Sequence, residues 1–241
     1  MDRLVYTSMA GAKASLQRQE VLAHNLANVS TQGFRAELAA FRAVPVRGDG
    51  ASTRVASIET TIGYSTQAGP VQTTGRSLDV AMRGQAWLAV QSLDGTEAYT
   101  RAGSLERNAE GVLVTQSGLP VSGDGGPITL PPNATVEIAA DGTVTARSGN
   151  AAPTNVGRIK LVTPEGPLTR GPDGLFRGPD GDLAADPAAR LQSGALEGSN
   201  VSPVETMVAM IAASRQFEHH MKLLQGAEQR EQASAKLLGM M

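Results

Sequence analysis

The chain has 241 residues, a formal net charge of −2 and no cysteine. A chain of this length is expected to form one or two domains. The charge disfavours a protein that binds nucleic acid by neutralising phosphates, and the lack of cysteine excludes disulfides, thiolate nucleophiles and cysteine-based zinc sites.

Helix-breaking residues divide the chain into three parts. All 13 prolines and 23 of the 27 glycines lie between Pro45 and Pro203. Proline and glycine disfavour helices by roughly 3 and 1 kcal/mol, so the composition predicts a helix, a turn-rich β body and a second helix.

No apolar run approaches the ~18 residues of a membrane span. The first residues lack the features of a cleaved signal peptide.

The first predicted helix has apolar residues at alternating intervals of four and three positions, which is typical of a coiled-coil seam. The seam runs through Val5, Met9, Ala12, Leu16, Gln19, Ala23 and Leu26, with Leu22 beside it. The helix should end between Asn28 and Gly33, where asparagine, serine, threonine and glycine cluster. Asn25 and Asn28 either cap this end or hydrogen-bond to another subunit. We assign residues 1–33 to an N-terminal assembly helix.

Residues 34–75 are predicted to form an extended linker region. Phe34, Leu38 and Phe41 also allow a helical turn, whereas the polar stretch from Arg47 to Thr74 favours an extended chain or loop.

Residues 76–197 are predicted to form a β-rich central domain. Asp-Gly pairs at 94–95 and 141–142 separate strand-like segments, which is a signal for β-hairpins. The paired segments are 86–90 with 97–100 and 135–140 with 143–146; further strands are expected at 112–114 and 156–162.

The second helix begins with a capping box, Ser202-Pro203-Val204-Glu205, with proline at the first helical position. Its seam repeats at intervals of three and four through Met207, Met210, Ser214, Phe217, Met221 and Leu224. We assign residues 198–241 to a C-terminal assembly helix.

Neither helix can bury its apolar stripe alone. The stripes must therefore pair with each other or with the helices of neighbouring subunits. The predicted fold class is α+β, with terminal helices that pair as a coiled-coil-like α domain around a β-rich central domain.

The residues do not indicate a catalytic, metal or cofactor site. His219 and His220 are adjacent, so on a helix they point about 100° apart and cannot face one ion. The run from Gly171 to Asp182 lacks the carboxylate spacing of a calcium loop and is better explained by Pro-Asp-Gly turns. A glycosidase that uses two acids to cleave peptidoglycan stays open, because sequence does not show how far apart two acids lie.

Four segments resemble the family of bacterial flagellar rod and hook proteins. Residues 25–34, Asn-Leu-Ala-Asn-Val-Ser-Thr-Gln-Gly-Phe, match the N-terminal signature of this family. Residues 79–90 are similar to its strand entering the β domain, and residues 99–103 with 111–115 are similar to its central hairpin. Residues 199–218 resemble its C-terminal signature. The start of the chain and residues 123–128 are more similar to proximal-rod than to distal-rod members.

The resemblance implies a structural, non-enzymatic subunit of the proximal rod that transmits torque. It also implies export by the flagellar type III apparatus and polymerisation in the periplasm, with terminal helices as the inner tube and the β domain outside. The partners would be other rod subunits and the export apparatus, with no nucleic acid and no membrane span. The expected assembly-interface residues are Val5, Met9, Leu16, Leu22, Asn25, Leu26, Asn28, Met207, Met210, Phe217, Met221 and Leu224.

Three alternatives remain from the sequence. One is a distal-rod or hook-type axial subunit. Another is an exported β-domain binding module or adhesin, whose terminal helices would be dispensable for ligand binding. The third is the peptidoglycan-cleaving enzyme.

Overall fold

The computed structural model describes residues 2–45, 55–149, 151–179 and 181–238. The chain forms two compact units. The helical unit consists of Met1–Val29, Glu37–Tyr64 and Val201–Met241, and the β unit consists of Ser30–Ala36 and Ser65–Asn200.

The helical unit contains both long helices and one hairpin. Helices α1 (Asp2–Ala27) and α2 (Pro203–Leu238) pack against each other, which confirms the predicted α+β class with paired terminal helices. The 36 residues of α2 span about 54 Å at 1.5 Å per residue. At its start the Ser202 hydroxyl accepts a hydrogen bond from the Glu205 N–H at 3.5 Å, as the capping box predicted.

The hairpin pairs β1 (Glu37–Pro45) with β2 (Val55–Tyr64), antiparallel from Glu37 opposite Tyr64 to Pro45 opposite Val55. Leu38 therefore lies in a strand, and the helical turn allowed by the sequence is wrong. Pairing of the two strands gives hydrogen-bond partners to backbone N–H and C=O groups that would have none in a single helical turn. A two-stranded hairpin is marginally stable by itself, and this one packs against α1.

The β unit is built from short antiparallel strands. They are β3 (Val71–Thr73), β4 (Val80–Met82), β5 (Trp87–Gln91), β6 (Glu97–Thr100), β7 (Leu105–Arg107), β8 (Leu113–Thr115), β9 (Ser122–Gly123), β10 (Gly126–Pro127), β11 (Ala134–Ile138), β12 (Thr143–Ser148), β13 (Thr154–Arg158), β14 (Leu161–Val162), β15 (Thr169–Arg170), β16 (Phe176–Arg177), β17 (Leu191–Ser193) and β18 (Ala195–Glu197). Strands β14, β5, β6, β16 and β15 form a five-stranded sheet in that order, and β11, β12 and β13 form a three-stranded sheet. The remaining strands pair as β3 with β18, β4 with β17, β7 with β8 and β9 with β10.

Both predicted Asp-Gly hairpins are confirmed. Strand β5 pairs with β6 across Gly95, and β11 pairs with β12 across Gly142. The two glycines have φ values of +82° and +88°, which a residue with a side chain rarely adopts. The single strand predicted at 156–162 is wrong, because β13 pairs with β12 whereas β14 pairs with β5. The buried Ile159 lies between them and bridges to Gly123, so the chain changes sheets at this point.

Large aliphatic side chains fill the core of the β unit. Its fully buried members include Leu88, Val90, Leu105, Leu113, Val121, Val144, Ile159 and Leu191. This unit therefore buries its own apolar residues in the way expected of a self-contained domain.

Small residues form much of the buried face of the two helices. On α2 one row of buried or half-buried positions, spaced by four and three, consists of Thr206, Met210, Ala213, Phe217, His220, Leu224 and Ala227. On α1 the corresponding positions are Val5, Ser8, Ala12, Ser15, Gln19, Leu22 and Leu26. At every second position of the predicted seams, the residue one position earlier is thus more buried than the predicted one. At Met9, Leu16 and Met207 the prediction chose the larger side chain, but the smaller residue before each one allows the helix backbones to approach more closely.

One consequence is that Met9, Leu16, Met207 and Met221 are exposed rather than buried between the helices. The closest approach is at Gly11, where an added Cβ would lie 2.4 Å from the His220 ring. The space for a side chain at Gly11 is therefore limited by the His220 ring and not by backbone conformation.

Two glycine-to-alanine substitutions within helices should have opposite effects on the helical unit. Gly226→Ala should raise its free energy of unfolding by about 1 kcal/mol, because alanine favours a helix and nothing lies within 4 Å of the added Cβ. Gly11→Ala should lower it by about 1 kcal/mol, because displacement of the His220 ring outweighs the same gain. Thermal unfolding followed by far-ultraviolet circular dichroism measures both, and equal stabilisation would contradict the tight seam.

Candidate assembly surface and chain junction

Exposed apolar side chains are concentrated on the helical unit. Of the twelve large apolar side chains that are exposed among the described residues, ten belong to this unit. They are Tyr6, Met9, Leu16, Leu38, Val204, Met207, Val208, Ile211, Met221 and Leu223, whereas the β unit exposes Val71 and Leu93. A contiguous exposed apolar surface marks an interaction site in a soluble protein.

Four of these residues form one face at the start of α2, which we call the outer face. Val204, Met207, Val208 and Ile211 follow the i, i+3, i+4, i+7 spacing of a single helix face. Between 51% and 70% of each residue is exposed. Thr206 and Met210 are less exposed and belong to the seam with α1. The first turns of α2 are therefore apolar on two sides.

The expected interface residues fall into three groups. Met9, Leu16, Met207 and Met221 are exposed, and Asn25 is buried. The others are half-buried: Val5, Leu22, Leu26, Asn28, Met210, Phe217 and Leu224. Contact of any of these residues with another subunit stays a prediction. Sequence reasoning missed Val204, Val208 and Ile211, because it traced one 4-3 stripe along a helix that has two apolar faces.

The asparagines of the N-terminal signature have local structural roles. Asn25 Nδ2 donates to the Glu37 carbonyl at 2.9 Å, and its Oδ1 accepts from the Glu37 N–H at 2.8 Å. The Asn25 amide thus binds β1 as a neighbouring strand would. Asn28 Nδ2 donates to the His24 carbonyl at 2.9 Å and caps the end of α1. His24 Nδ1 lies 3.0 Å from the Glu37 carboxylate.

A buried carboxylate lies where the chain segments of the β unit converge. Glu197 Oε1 lies 2.9 Å from Arg35 Nη2, and it accepts a hydrogen bond from the Gly69 N–H at 3.0 Å. Glu197 Oε2 accepts from Arg101 Nε at 2.7 Å. The three charged residues are each at most 2% exposed. A buried ion group of this kind is stable only when hydrogen bonds satisfy its remaining polar atoms.

Backbone carbonyls provide those bonds. Arg101 donates to the carbonyls of Met82, Gly84 and Ala86 at 2.6 to 3.0 Å. Arg35 Nη1 donates to the Gln67 carbonyl. These oxygens offset the excess positive charge of two guanidinium groups around one carboxylate.

Asn200 binds the same region from the other side. Its Oδ1 accepts from the Ala36 N–H at 2.7 Å, and its Nδ2 donates to the Gln67 carbonyl at 2.8 Å. The Asn200 N–H also donates to the Phe34 carbonyl at 3.3 Å. We call Arg35, Glu197, Arg101 and Asn200 the junction.

Sequence reasoning did not identify the junction. Glu197 and Arg101 are 96 positions apart, and neither lies in a spacing pattern that indicates an ion pair. The available signal was the run of apolar and small residues around Arg101, in which a charged residue needs a partner.

Other candidate residues have structural explanations. Asp173 lies within hydrogen-bond distance of Arg177, and this interaction holds the pKa of the Asp173 carboxyl below its usual value. Asp173 Oδ1 also accepts from the Leu175 N–H, as expected for a turn. Asp180, in the second Pro-Asp-Gly turn, lies outside the described residues. His219 is exposed, whereas His220 faces Gly11.

Burial raises the pKa of the Tyr99 hydroxyl above its usual value, and this hydroxyl accepts from the Leu183 N–H at 2.6 Å. Within the described ranges no group of three or more histidine, aspartate or glutamate side chains is arranged to hold a metal ion. None of the described helices is long and apolar enough to cross a membrane.

Substitution of Gly33 should test the packing of the junction. Gly33 has φ of +65°, and an added Cβ would lie 2.3 Å from the Arg101 backbone. Gly75 has φ of +75° but nothing within 4 Å of its added Cβ. Gly75→Ala should cost about 1 to 2 kcal/mol through backbone strain alone. Gly33→Ala should cost at least about 2 kcal/mol more, because the Arg101 backbone must move. Denaturant unfolding of the two variants compares these costs, and equal losses would show that the close approach is unimportant.

Comparisons with known proteins agree with this structure. Residues 5–35 match the family model described as flagella basal body rod protein, and residues 81–146 match the flagellar hook protein FlgE/F/G D1 domain. Residues 192–237 match the flagellar basal body rod FlgEFG protein C-terminal model.

Full-length relatives show the same relationship. The chain is 46% identical over 251 residues to the flagellar basal-body rod protein FlgF of Salmonella typhimurium, with 100% of both chains covered. It is 33% identical to FlgF of Caulobacter vibrioides, with 99% of both covered. It is 31% identical to the rod protein FlgG of Agrobacterium fabrum, which covers 94% of this chain and 96% of the relative. The chain therefore belongs to the flagellar basal-body rod protein family and is a structural component of that rod.

Proposed function

We propose that this rod subunit assembles through the exposed apolar faces of α1 and α2, and that it belongs to the proximal part of the rod. The observation that carries the proposal is the contrast between the two units. The β unit buries its large apolar side chains in its own core, whereas the helical unit exposes ten of them.

Contacts between these faces of successive subunits would be head-to-tail. Such an interface is not closed by symmetry, so it generates an open helical array rather than a dimer. Covering the exposed part of each outer-face side chain contributes about 1 kcal/mol, so the four residues of α2 alone supply a substantial part of an interface.

The proposal includes a purely structural role without catalysis. The buried charged groups of the β unit support it, because each one binds other protein groups. Glu197 binds two arginines, and Asp79 binds the Thr74 hydroxyl at 2.6 Å and the Arg76 guanidinium. Purified protein that releases fragments from peptidoglycan, with loss of release after substitution of one acid, would contradict this part.

Export by the flagellar type III apparatus is also part of the proposal, with other rod subunits as partners. Its support is the membership of the rod family. Secretion of the tagged chain should stop in cells without the export apparatus and continue in cells that lack only the later rod subunits.

A substitution on the outer face should block assembly without unfolding either unit. Ile211→Asp places a carboxylate where a neighbouring subunit would cover it, which costs several kcal/mol. Leu93→Asp introduces the same charge at a residue of the β unit that is 96% exposed, and serves as the matched control. We expect Ile211→Asp to be absent from isolated basal bodies and Leu93→Asp to be incorporated normally.

Circular dichroism should show that both variants keep the wild-type helix content.

By contrast, Phe217 lies on the half-buried seam of α2, so Phe217→Asp should separate the two helices within one chain. Normal incorporation of Ile211→Asp would remove the outer face from the assembly surface.

A further inference from the structure

The β unit is connected to the rest of the chain at a small number of points. The chain enters this unit at Ser30, leaves after Ala36, returns at Ser65 and leaves again after Asn200. The residues on the β-unit side of the last three of these four connections, namely 33–36, 65–69 and 197–200, are all bonded to one another.

Asn200 joins all three connections with one side chain. It accepts from the Ala36 N–H at 2.7 Å, donates to the Gln67 carbonyl at 2.8 Å and reaches the Ser65 carbonyl at 3.4 Å. The Ser65 N–H donates to the Ala36 carbonyl at 2.8 Å. Displacement of any one connection therefore strains bonds to the other two.

Glu197 joins the same three segments a few residues deeper. Its carboxylate binds Arg35 from the first segment and the Gly69 N–H from the second. Its backbone carbonyl accepts from the Gly33 N–H at 2.8 Å. Arg101 anchors this carboxylate to the carbonyls that flank β4 and β5. The connections are thus held to the sheet and not only to each other.

Directional bonds resist movement in a way that apolar contacts do not. Apolar side chains can slide with little change in buried area, because the hydrophobic effect has no preferred direction. Hydrogen bonds and ion pairs weaken steeply when their angles change, and a fully satisfied buried polar network makes its surroundings rigid.

We propose that the junction is a rigid joint that makes the three connections move as one body and so allows the rod to carry torque. Asn200 is its positioning residue, because its side chain binds Ala36 and Ser65, the residues directly at the other two connections, whereas Glu197 binds the same segments at Arg35 and Gly69. This inference rests on the proposed function, because only an assembled rod carries torque.

The first test measures the joint in the purified full-length chain. Asn200→Asp keeps the acceptor for the Ala36 N–H but turns a second oxygen toward the carbonyls of Ser65 and Gln67. Hydrogen exchange of the Ala36, Ser65 and Gly69 amides should accelerate together by roughly ten-fold, as expected when buried partners are left unpaired. The Val144 amide, in the core of the β unit, should not change.

The matched control is Asn155→Asp. Asn155 lies at an exposed position of β13 and uses its side-chain oxygen to accept from the Gly157 N–H at 3.0 Å, and aspartate preserves this bond. Asn200→Ala, which removes the bonds without adding a charge, should reproduce the exchange result. Acceleration confined to Ala36 would overturn the single-body claim.

The second test measures torque in cells that lack their own copy of this protein. Basal bodies with Asn200→Asp should contain the variant at wild-type levels, whereas swimming speed should fall more steeply than in the control as medium viscosity rises. Wild-type swimming under load would overturn the joint and leave the proposed function intact. A folded variant that does not enter the rod would also overturn it, since the junction would then act in assembly. Failure of the proposed function is seen separately with Ile211→Asp, which leaves the junction unchanged.

Discussion

The β unit depends on a single buried carboxylate that is shared by two arginines. Removing one member of such a group leaves an uncompensated buried charge, at a cost of about 3 to 5 kcal/mol. Glu197 lies at the end of β18, whose pairing with β3 places its side chain beside the Gly69 amide. The carboxylate then fixes Arg35, and through it the segment that follows the N-terminal signature. The close approach of Gly33 to the Arg101 backbone follows from the same arrangement.

The helical unit divides its residues differently from the β unit. Serine, glycine and alanine occupy much of the face between the helices, beside half-buried large side chains such as Met210 and Phe217. The methionine, valine and isoleucine side chains of the outer face are instead exposed to solvent, where they do not stabilise the monomer by burial. This division fits a rod subunit, because a helix pair that used its largest side chains internally would have less left for its neighbours.

Two asparagine side chains hold nearby backbone segments in place through hydrogen bonds. Asn25 binds both backbone groups of Glu37, and Asn200 binds backbone groups of Ala36 and Gln67. A side-chain amide carries both a donor and an acceptor, so it can replace a missing strand neighbour at an irregular part of the backbone. The N-terminal signature therefore has a physical meaning within one chain: Asn25 orients β1, Asn28 caps α1, and Gly33 permits the approach to Arg101.

The two terminal helices, the start of α2 at its capping box and the two Asp-Gly hairpins could be predicted from the residues alone. These features depend on residues that are close along the chain, whose spacing and backbone preferences can be read directly. The family could also be predicted from them, because the signature residues are contiguous. The buried side of each helix could not be predicted in this way, since Ser8 and Met9 are adjacent and the packing of the two helices selects which of them is buried. The junction was likewise decided only by the tertiary structure, because Arg35, Arg101 and Glu197 meet only after the strands between them have paired.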